Sequence, residues 1–282
     1  MDFARDELSQ MIGDLSKKIF RGLVTAESLD ALEKQGQWMH RPAWGALAQS
    51  ELLSAPLPES MGGMGCGIDT LCVMLEQAGR TVAPIPVLET LVLGVLPVAA
   101  FGTEAQQARY LDGVGEGRTV LTAALTDAGS RLPFSPTTTA TGSEGTVRIS
   151  GTKRTVAYAD EAAFIIATAM TPAGCRLVVF AADAAGVART QQTATNGQPL
   201  FDLTLTDVEA EVLGGAEAPA WLLDRANVGM AALSLGVARQ ALFTTANYVR
   251  ERHQFGQPIG TFQAVSQRAA DAWMDVEAMD VS

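Results

Sequence analysis

Arg252-His253-Gln254-Phe255-Gly256-Gln257-Pro258-Ile259 lies between two apolar segments near the end of a 282-residue chain. An arginine side chain is a planar fork of donors that matches the oxygens of a diphosphate. The ring of Phe255 is suited to cover a planar heterocycle, and Gly256 lets the backbone turn closely. Taken alone, the same residues also suit a solvated helix end, so their meaning depends on what surrounds them.

Upstream, Trp221 to Arg250 is apolar nearly all round, which is the pattern of a buried helix. Downstream, Pro258 and Gly260 end a connecting turn. Phe262, Val265, Ala269, Trp273, Val276 and Met279 then step by three and four along one stripe. No Gly or Pro closes that stripe before Ser282, so its apolar face is expected to need something to pack on. Residues 216–282 therefore read as a C-terminal helical domain, the start of a bundle that is incomplete.

Residues 116–215 have a different texture. Leu203-Thr204-Leu205-Thr206-Asp207-Val208 and Val147-Arg148-Ile149-Ser150-Gly151 alternate apolar and polar, and Ala163–Ala167 and Arg176–Phe180 are short apolar runs between turn residues. They predict a middle β-domain, a small barrel or sandwich. The segment from Pro133 to Gly145, rich in Thr and Ser, reads as a surface loop containing one strand. Residues 1–115 form an N-terminal helical domain. Its predicted helices carry Phe3, Leu8, Met11, Ile12, Leu15 and Ile19; run from Ser28 to Met39; run from Asp69, as the cap, to Gly79; and run from Thr103-Glu104 to Gly113. The expected fold class is α+β and multidomain: helical, then β, then helical.

Composition excludes several functions. A net charge of −11 without a Lys/Arg cluster argues against nucleic-acid binding. Cys66, Cys72 and Cys175 are too scattered for a disulfide framework, and two histidines, His40 and His253, are too few for a structural zinc site. The acidic start has no basic region followed by an apolar core. The longest apolar stretch, Leu91 to Phe101, contains Gly94 and Pro97 and is too short to span a bilayer. A cytoplasmic protein without a membrane span is expected. Gly62-Gly63-Met64-Gly65-Cys66-Gly67 has no preceding strand and no following Lys-Ser/Thr, so it reads as a tight turn rather than a phosphate loop. Nothing like a nucleophile elbow surrounds any serine that His40 or His253 would activate.

Four stretches resemble the acyl-CoA dehydrogenase family, in the family's order. Pro58-Glu59-Ser60-Met61-Gly62-Gly63-Met64-Gly65 is similar to its Pro-Glu-x-x-Gly-Gly-x-Gly turn. Gly79-Arg80-Thr81-Val82-Ala83-Pro84-Ile85-Pro86 resembles its Gly-Arg…Pro connection. Ala124-Leu125-Thr126-Asp127 with Gly129-Ser130 looks like a shortened Leu-Thr-Glu-Pro-x-x-Gly-Ser. Tyr248 to Ile259, followed by Phe262-Gln263-Ala264-Val265, is the most specific. The resemblance covers essentially the whole chain. It implies an oxidoreductase that desaturates an acyl-CoA thioester with FAD and passes electrons to an electron-transfer flavoprotein or similar acceptor. It implies that Thr126 contacts the flavin and Ser130 its ribityl or diphosphate part. It also implies that Arg252, Gln254 and Phe255 reach an FAD held mainly by a neighbouring subunit, in a homo- or hetero-oligomer.

The chain departs from the family at three places. After Gly151-Thr152-Lys153, the family's aromatic residue is Thr155 and its hydroxyl residue is Ala157. The Leu-Thr-Glu-Pro motif has lost its Pro and about two residues. Some members carry the base, a Glu, on the long helix, at the position of Ala226 here; others carry it in roughly their last hundred residues. Asp224 is the remaining candidate base, though a helix-start carboxylate is favoured there by the macrodipole alone. These departures resemble the heteromeric acyl-CoA dehydrogenases of bacterial steroid side-chain breakdown, in which one subunit type lacks the complete site. The alternatives are a non-catalytic partner subunit, or a flavin oxidase or hydroxylase on the same fold.

Overall fold

A computed structural model describes residues 6–130, 132, 134–142 and 145–281. Each element is set by local chemistry that the sequence carries. Helix α1 (Glu7–Leu23) starts at Asp6, whose carboxylate accepts from the Ser9 amide at 2.7 Å. Helix α2 (Ala26–Lys34) starts at Thr25, which exchanges side-chain bonds with Ser28 in a reciprocal cap. The predicted span from Ser28 to Met39 is thus too long at its far end. After α2 the chain turns and forms α3 (Arg41–Gln49), a helix the periodicity did not reveal. Helix α4 (Ile68–Thr81) starts at Gly67 rather than Asp69, which lies in the first turn, where the positive end of the helix favours a carboxylate. A π-helical segment (Leu88–Val95) runs into α5 (Leu96–Phe101), and α6 (Glu104–Tyr110) begins at a Thr103–Gln106 capping box.

Ten strands follow. They are β1 (Leu121–Ala124), β2 (Thr126–Asp127), β3 (Thr139–Gly142), β4 (Thr146–Ala157), β5 (Phe164–Thr171), β6 (Gly174–Ala181), β7 (Val187–Gln192), β8 (Leu200–Leu213), and the short β9 (His253–Gln254) and β10 (Gln257–Pro258). Of the loose segment 133–145, β3 is described; Pro133, Ser143 and Glu144 lie outside the described residues. Pairing runs β4–β3–β5–β6–β8 and returns from β8 to β4, so the sheet closes on itself, with β1 on β5, β2 on β4 and β7 on β8. Closure removes most free edges and turns alternate residues inward, where Ile149, Ile165, Val178, Leu203 and Val208 are buried.

The remaining helices are α7 (Ala218–Glu251) and α8 (Gln263–Asp280). Helix α7 crosses α4 with almost no gap. A Cβ on Gly79 would lie 2.1 Å from the Leu233 carbonyl oxygen, and one on Gly236 would lie 2.0 Å from that of Glu76. Only glycine permits this approach. Ion pairs tie the crossing: Glu76, almost fully buried, accepts from Arg80 at 2.9 Å and from Arg239 at 2.8 Å, and Arg239 also reaches Asp280 of α8 at 2.7 Å.

The reading of α7 as buried along Trp221–Arg250 is corrected here. Its buried residues are Ala218, Pro219, Leu222, Gly229, Leu235 and Gly236, all in the first two-thirds. Val228, Met230, Val237, Phe243 and Tyr248 are exposed, and so are Trp273, Met274 and Met279 of α8. An apolar helix is covered only on the faces that a neighbour reaches; here those neighbours are α4, the π-helical segment and α8. Among the described residues, no helix is long and apolar enough to cross a membrane.

Candidate functional site

Helix α7 stops at Arg252, where the backbone turns to an extended conformation. Strands β9 and β10 then pair antiparallel, Gln254 with Gln257 and His253 with Pro258. The two residues between them, Phe255 and Gly256, both have positive φ, +55° and +82°. That is a two-residue hairpin turn of the type whose twist matches its strands. The Ile259 amide donates to the Arg252 carbonyl at 2.8 Å and closes the hairpin. Gly256 fits without strain, whereas Phe255 is a bulky residue in a left-handed conformation. Phe255 is 90% exposed, and its ring forms an edge-to-face pair with that of Phe262, centroids 6.1 Å apart. Arg252 and Gln254 are exposed beside it, and among the described residues no carboxylate pairs with Arg252. The hairpin thus holds a cation, an amide and an aromatic ring outward in a fixed order.

Thr126 and Ser130 lie elsewhere. Thr126 is exposed on β2, opposite Arg154 of β4. Its neighbour Asp127 points inward and anchors the strand: it pairs with the fully buried Lys153, whose ammonium also donates to the Thr168 carbonyl at 2.5 Å. The second carboxylate oxygen accepts from the Thr138 amide at 2.6 Å. Burial pushes the Asp127 carboxyl upward, but its bonds to Lys153 and Thr138 outweigh that and hold it below 3.8. Ser130 turns its hydroxyl onto its own loop, accepting from the Leu132 amide at 3.2 Å. Thr155 is exposed with φ +54°, and its amide donates to Asp202, which also pairs with Arg154 at 3.1 Å. Ala157 brings no side-chain donor. This face of the barrel therefore offers the Thr126 hydroxyl and an Arg154–Asp202 ion pair, and neither Thr155 nor Ala157 adds an aromatic surface to it.

On α7 the inward stripe runs through Leu222, Ala226, Gly229, Leu233 and Gly236, with Gly229 set against Leu88 of the π-helical segment. Ala226 is thus on the packed side and carries no carboxylate. Asp224 is exposed, about 200° away by helical geometry. His40 is a buried cap: its Nδ1 accepts from the Ala43 amide at 3.1 Å, which places the proton on Nε2. His253 is exposed on β9, its Nδ1 2.9 Å from the Glu251 carbonyl oxygen. Among the described residues, Cys66, Cys72 and Cys175 form no disulfide. The glycine-rich stretch is a turn in which Gly62 has φ +79° and Gly63 leaves no room for a Cβ against the Leu57 carbonyl.

Sequence reasoning missed two buried carboxyls, Glu76 in the α4–α7 crossing and Glu89. Glu89 sits in the π-helical segment, where burial pushes it up to about 7 despite a 3.0 Å hydrogen bond from Gln198. A charged residue inside the apolar run Val87 to Val95 is the signal that would have found it.

Comparison with known proteins supplies the context for this geometry. The family models for the acyl-CoA dehydrogenase N-terminal domain and C-terminal domain match residues 7–118 and 214–281. The chain is 33% identical to Acyl-CoA dehydrogenase FadE27 of Mycobacterium tuberculosis over 282 residues, covering 99% of this chain and 74% of that protein. It is 35% identical to FadE28 of the same organism over 243 residues, covering 85% and 68%. Among solved structures, a variant of the Tcur3481-Tcur3483 steroid ACAD superposes with a TM-score of 0.93 at 39% identity, covering 98% of this chain and 75% of the other. The ChsE4-ChsE5 complex from Mycobacterium tuberculosis superposes at 0.94 with 32% identity, covering 100% and 77%. Helical, barrel and helical elements in this order, the matched models and these relatives agree: the chain belongs to the acyl-CoA dehydrogenase family.

Proposed function

We propose that this chain is one subunit of a heteromeric FAD-dependent acyl-CoA dehydrogenase, and that its main contribution to the flavin site is the hairpin Arg252–Pro258. The observation that carries this reading is distance. Helix α7 has 34 residues and so is about 50 Å long at 1.5 Å per residue. The barrel joins its first turn and the hairpin its last. That separation supports a cofactor that takes its barrel face and its hairpin from two subunits, and Thr155, Ala157 and Ala226 support the two being unlike.

The residues fit FAD at the hairpin. Arg252 would engage the diphosphate through paired N–H donors, Gln254 would add a polar contact, and the exposed ring of Phe255 would cover part of the cofactor. The chain's own barrel face fits less well, with Thr155 and Ala157 in place of an aromatic and a hydroxyl residue and with the Ser130 hydroxyl held by its own loop. Thr126 remains as a contact for a flavin edge. FAD, when bound, supplies the hydride acceptor for α,β-desaturation of an acyl-CoA thioester, and an electron-transfer flavoprotein or similar carrier would then take the electrons. The base is assigned to a subunit that carries a carboxylate where this chain has Ala226 or in its later helices. The same gaps favour a second reading, in which this chain is non-catalytic and stabilises an active homologue.

Co-expression with a homologous subunit that has the aromatic, hydroxyl and carboxylate residues tests the proposal. The expected result is a yellow complex that reduces a dye acceptor with acyl-CoA, from two separately inactive chains. A chain that alone binds FAD and turns over acyl-CoA would refute the heteromeric reading. Flavin that stays bound to the complex without the hairpin would favour the stabilising role.

A further inference from the structure

The loop Thr193–Pro199, between β7 and β8, crosses from the barrel to the helical part of the chain. Its internal bonds are those of a small turn: the Gly197 amide donates to the Ala194 carbonyl, and the Gln198 amide to the Asn196 side chain. Three contacts hold it down. The Tyr158 amide donates to the Pro199 carbonyl at 2.9 Å. Gly197, with φ +76°, lies flat on Trp38, so that a Cβ there would sit 2.6 Å from the ring. The Gln198 amide nitrogen donates to Glu89 at 3.0 Å, across 109 positions of sequence. Beside the loop is a cavity of about 200 Å³, lined by Trp38, Met39, Arg41, Tyr158, Glu161 and Pro199.

Glu89 is buried, and among the described residues no cation pairs with it. The ionisable groups on the elements around it are engaged elsewhere or add negative charge. Tyr158 faces it, with Asp160 and Glu161 beyond, and Glu161 is paired with Arg41 at 2.7 Å. On α4, Glu76 is held by Arg80 and Arg239; on α7, Arg225 stacks on Trp221 and Asp224 is exposed. A carboxylate in this position has no compensating charge and gains most by reaching water.

We infer that residues 193–199 are a strap latched by Glu89: with Glu89 protonated the strap lies closed against Trp38 and Tyr158, and ionisation of Glu89 releases it. The sign follows from linkage. Burial raises Glu89 in the closed form to about 7 from the 4.5 of a free glutamate. Opening therefore releases a proton, becomes more favourable as pH rises above 4.5, and levels off beyond about 7.

Hydrogen exchange followed by mass spectrometry on the full chain tests this, after correction for the intrinsic pH dependence of exchange. Between pH 5 and 8 the opening of amides in 194–198 and of Tyr158 should rise by up to roughly seventyfold, the value for a glutamate that becomes fully solvated on opening. Glu89→Gln keeps the bond to Gln198 but cannot ionise, so its corrected exchange should be flat and slow. Gln198→Ala removes the latch without touching Glu89, and its exchange should be fast at pH 5 already. Flat wild-type exchange, or a Glu89→Gln chain that keeps the wild-type pH dependence, would overturn the latch. If Glu89→Gln fails to fold, wild type against Gln198→Ala decides alone: equal slow exchange in both at pH 5 overturns it.

Discussion

The inner and outer ends of α7 are built from similar residues and do opposite things. At the inner end, Gly79 and Gly236 bring two backbones together, Glu76 gathers Arg80 and Arg239, and the apolar stripe from Leu222 to Gly236 is packed. At the outer end no residue beyond Gly236 is buried, Phe243 and Tyr248 are exposed, and a strained hairpin holds Phe255 in solvent. Hydrophobicity alone does not distinguish them. The inner end is fitted to this chain, whereas the outer end has the composition of an interior without a covering neighbour, as expected of a surface that other subunits cover.

The largest effects should fall at the inner end. Gly236→Leu forces a side chain into the Glu76 carbonyl and should cost about 3 kcal/mol or more, read as a lower urea midpoint. Lys153→Met leaves Asp127 buried without its cation and should cost about 3–5 kcal/mol. The acid limb of stability should change with it. Asp127 is held below 3.8 in the folded chain, so the pair contributes stability above that value and loses it as pH falls through the folded value. Wild type should therefore lose stability below about pH 4, and Lys153→Met should lose that acid dependence. A substitution at Gly236 without cost would contradict the close crossing.

Much of the inner architecture was legible in the sequence. Strands β4, β5, β6 and β8 follow from alternation and short apolar runs, and α6 from Thr103 ahead of Glu104. Helix α3 was hidden because it contains Pro42 and Gly45 and is capped by a histidine instead of Ser, Thr, Asp or Asn. The hairpin was read only as a turn because its loop is Phe-Gly, not the Asn-Gly that announces this geometry. The five cofactor candidates, Thr126, Ser130, Arg252, Gln254 and Phe255, were readable as residue types, but their separation by the length of α7 was not, since periodicity does not report distance. The exposure of α7 was misread for a related reason: an apolar pattern records that a helix is covered, not which chain covers it.

Smaller effects sharpen the contrast at the outer end. Trp273→Ser changes a residue 60% exposed and should move the stability of the isolated chain by less than about 0.5 kcal/mol, while weakening the assembled oligomer in sedimentation. A large loss of stability in the chain alone would mean that α8 is already packed. Phe255→Asn replaces a strained aromatic with a residue that tolerates positive φ. It should stabilise the chain by up to about 1 kcal/mol, seen as a rise in Tm, while lowering retention of flavin in the complex. Gain in both would separate Phe255 from the cofactor.

The most direct measurement is the flavin absorbance of the assembled oligomer when only Arg252 of this chain is changed to Ala. Arg252 is exposed and among the described residues pairs with no carboxylate, so folding and assembly should be unaffected. The account predicts that bound FAD falls to less than about a tenth of wild type after gel filtration, the loss expected from removing one bidentate charge-assisted contact. Flavin content equal to wild type in an intact oligomer would contradict it.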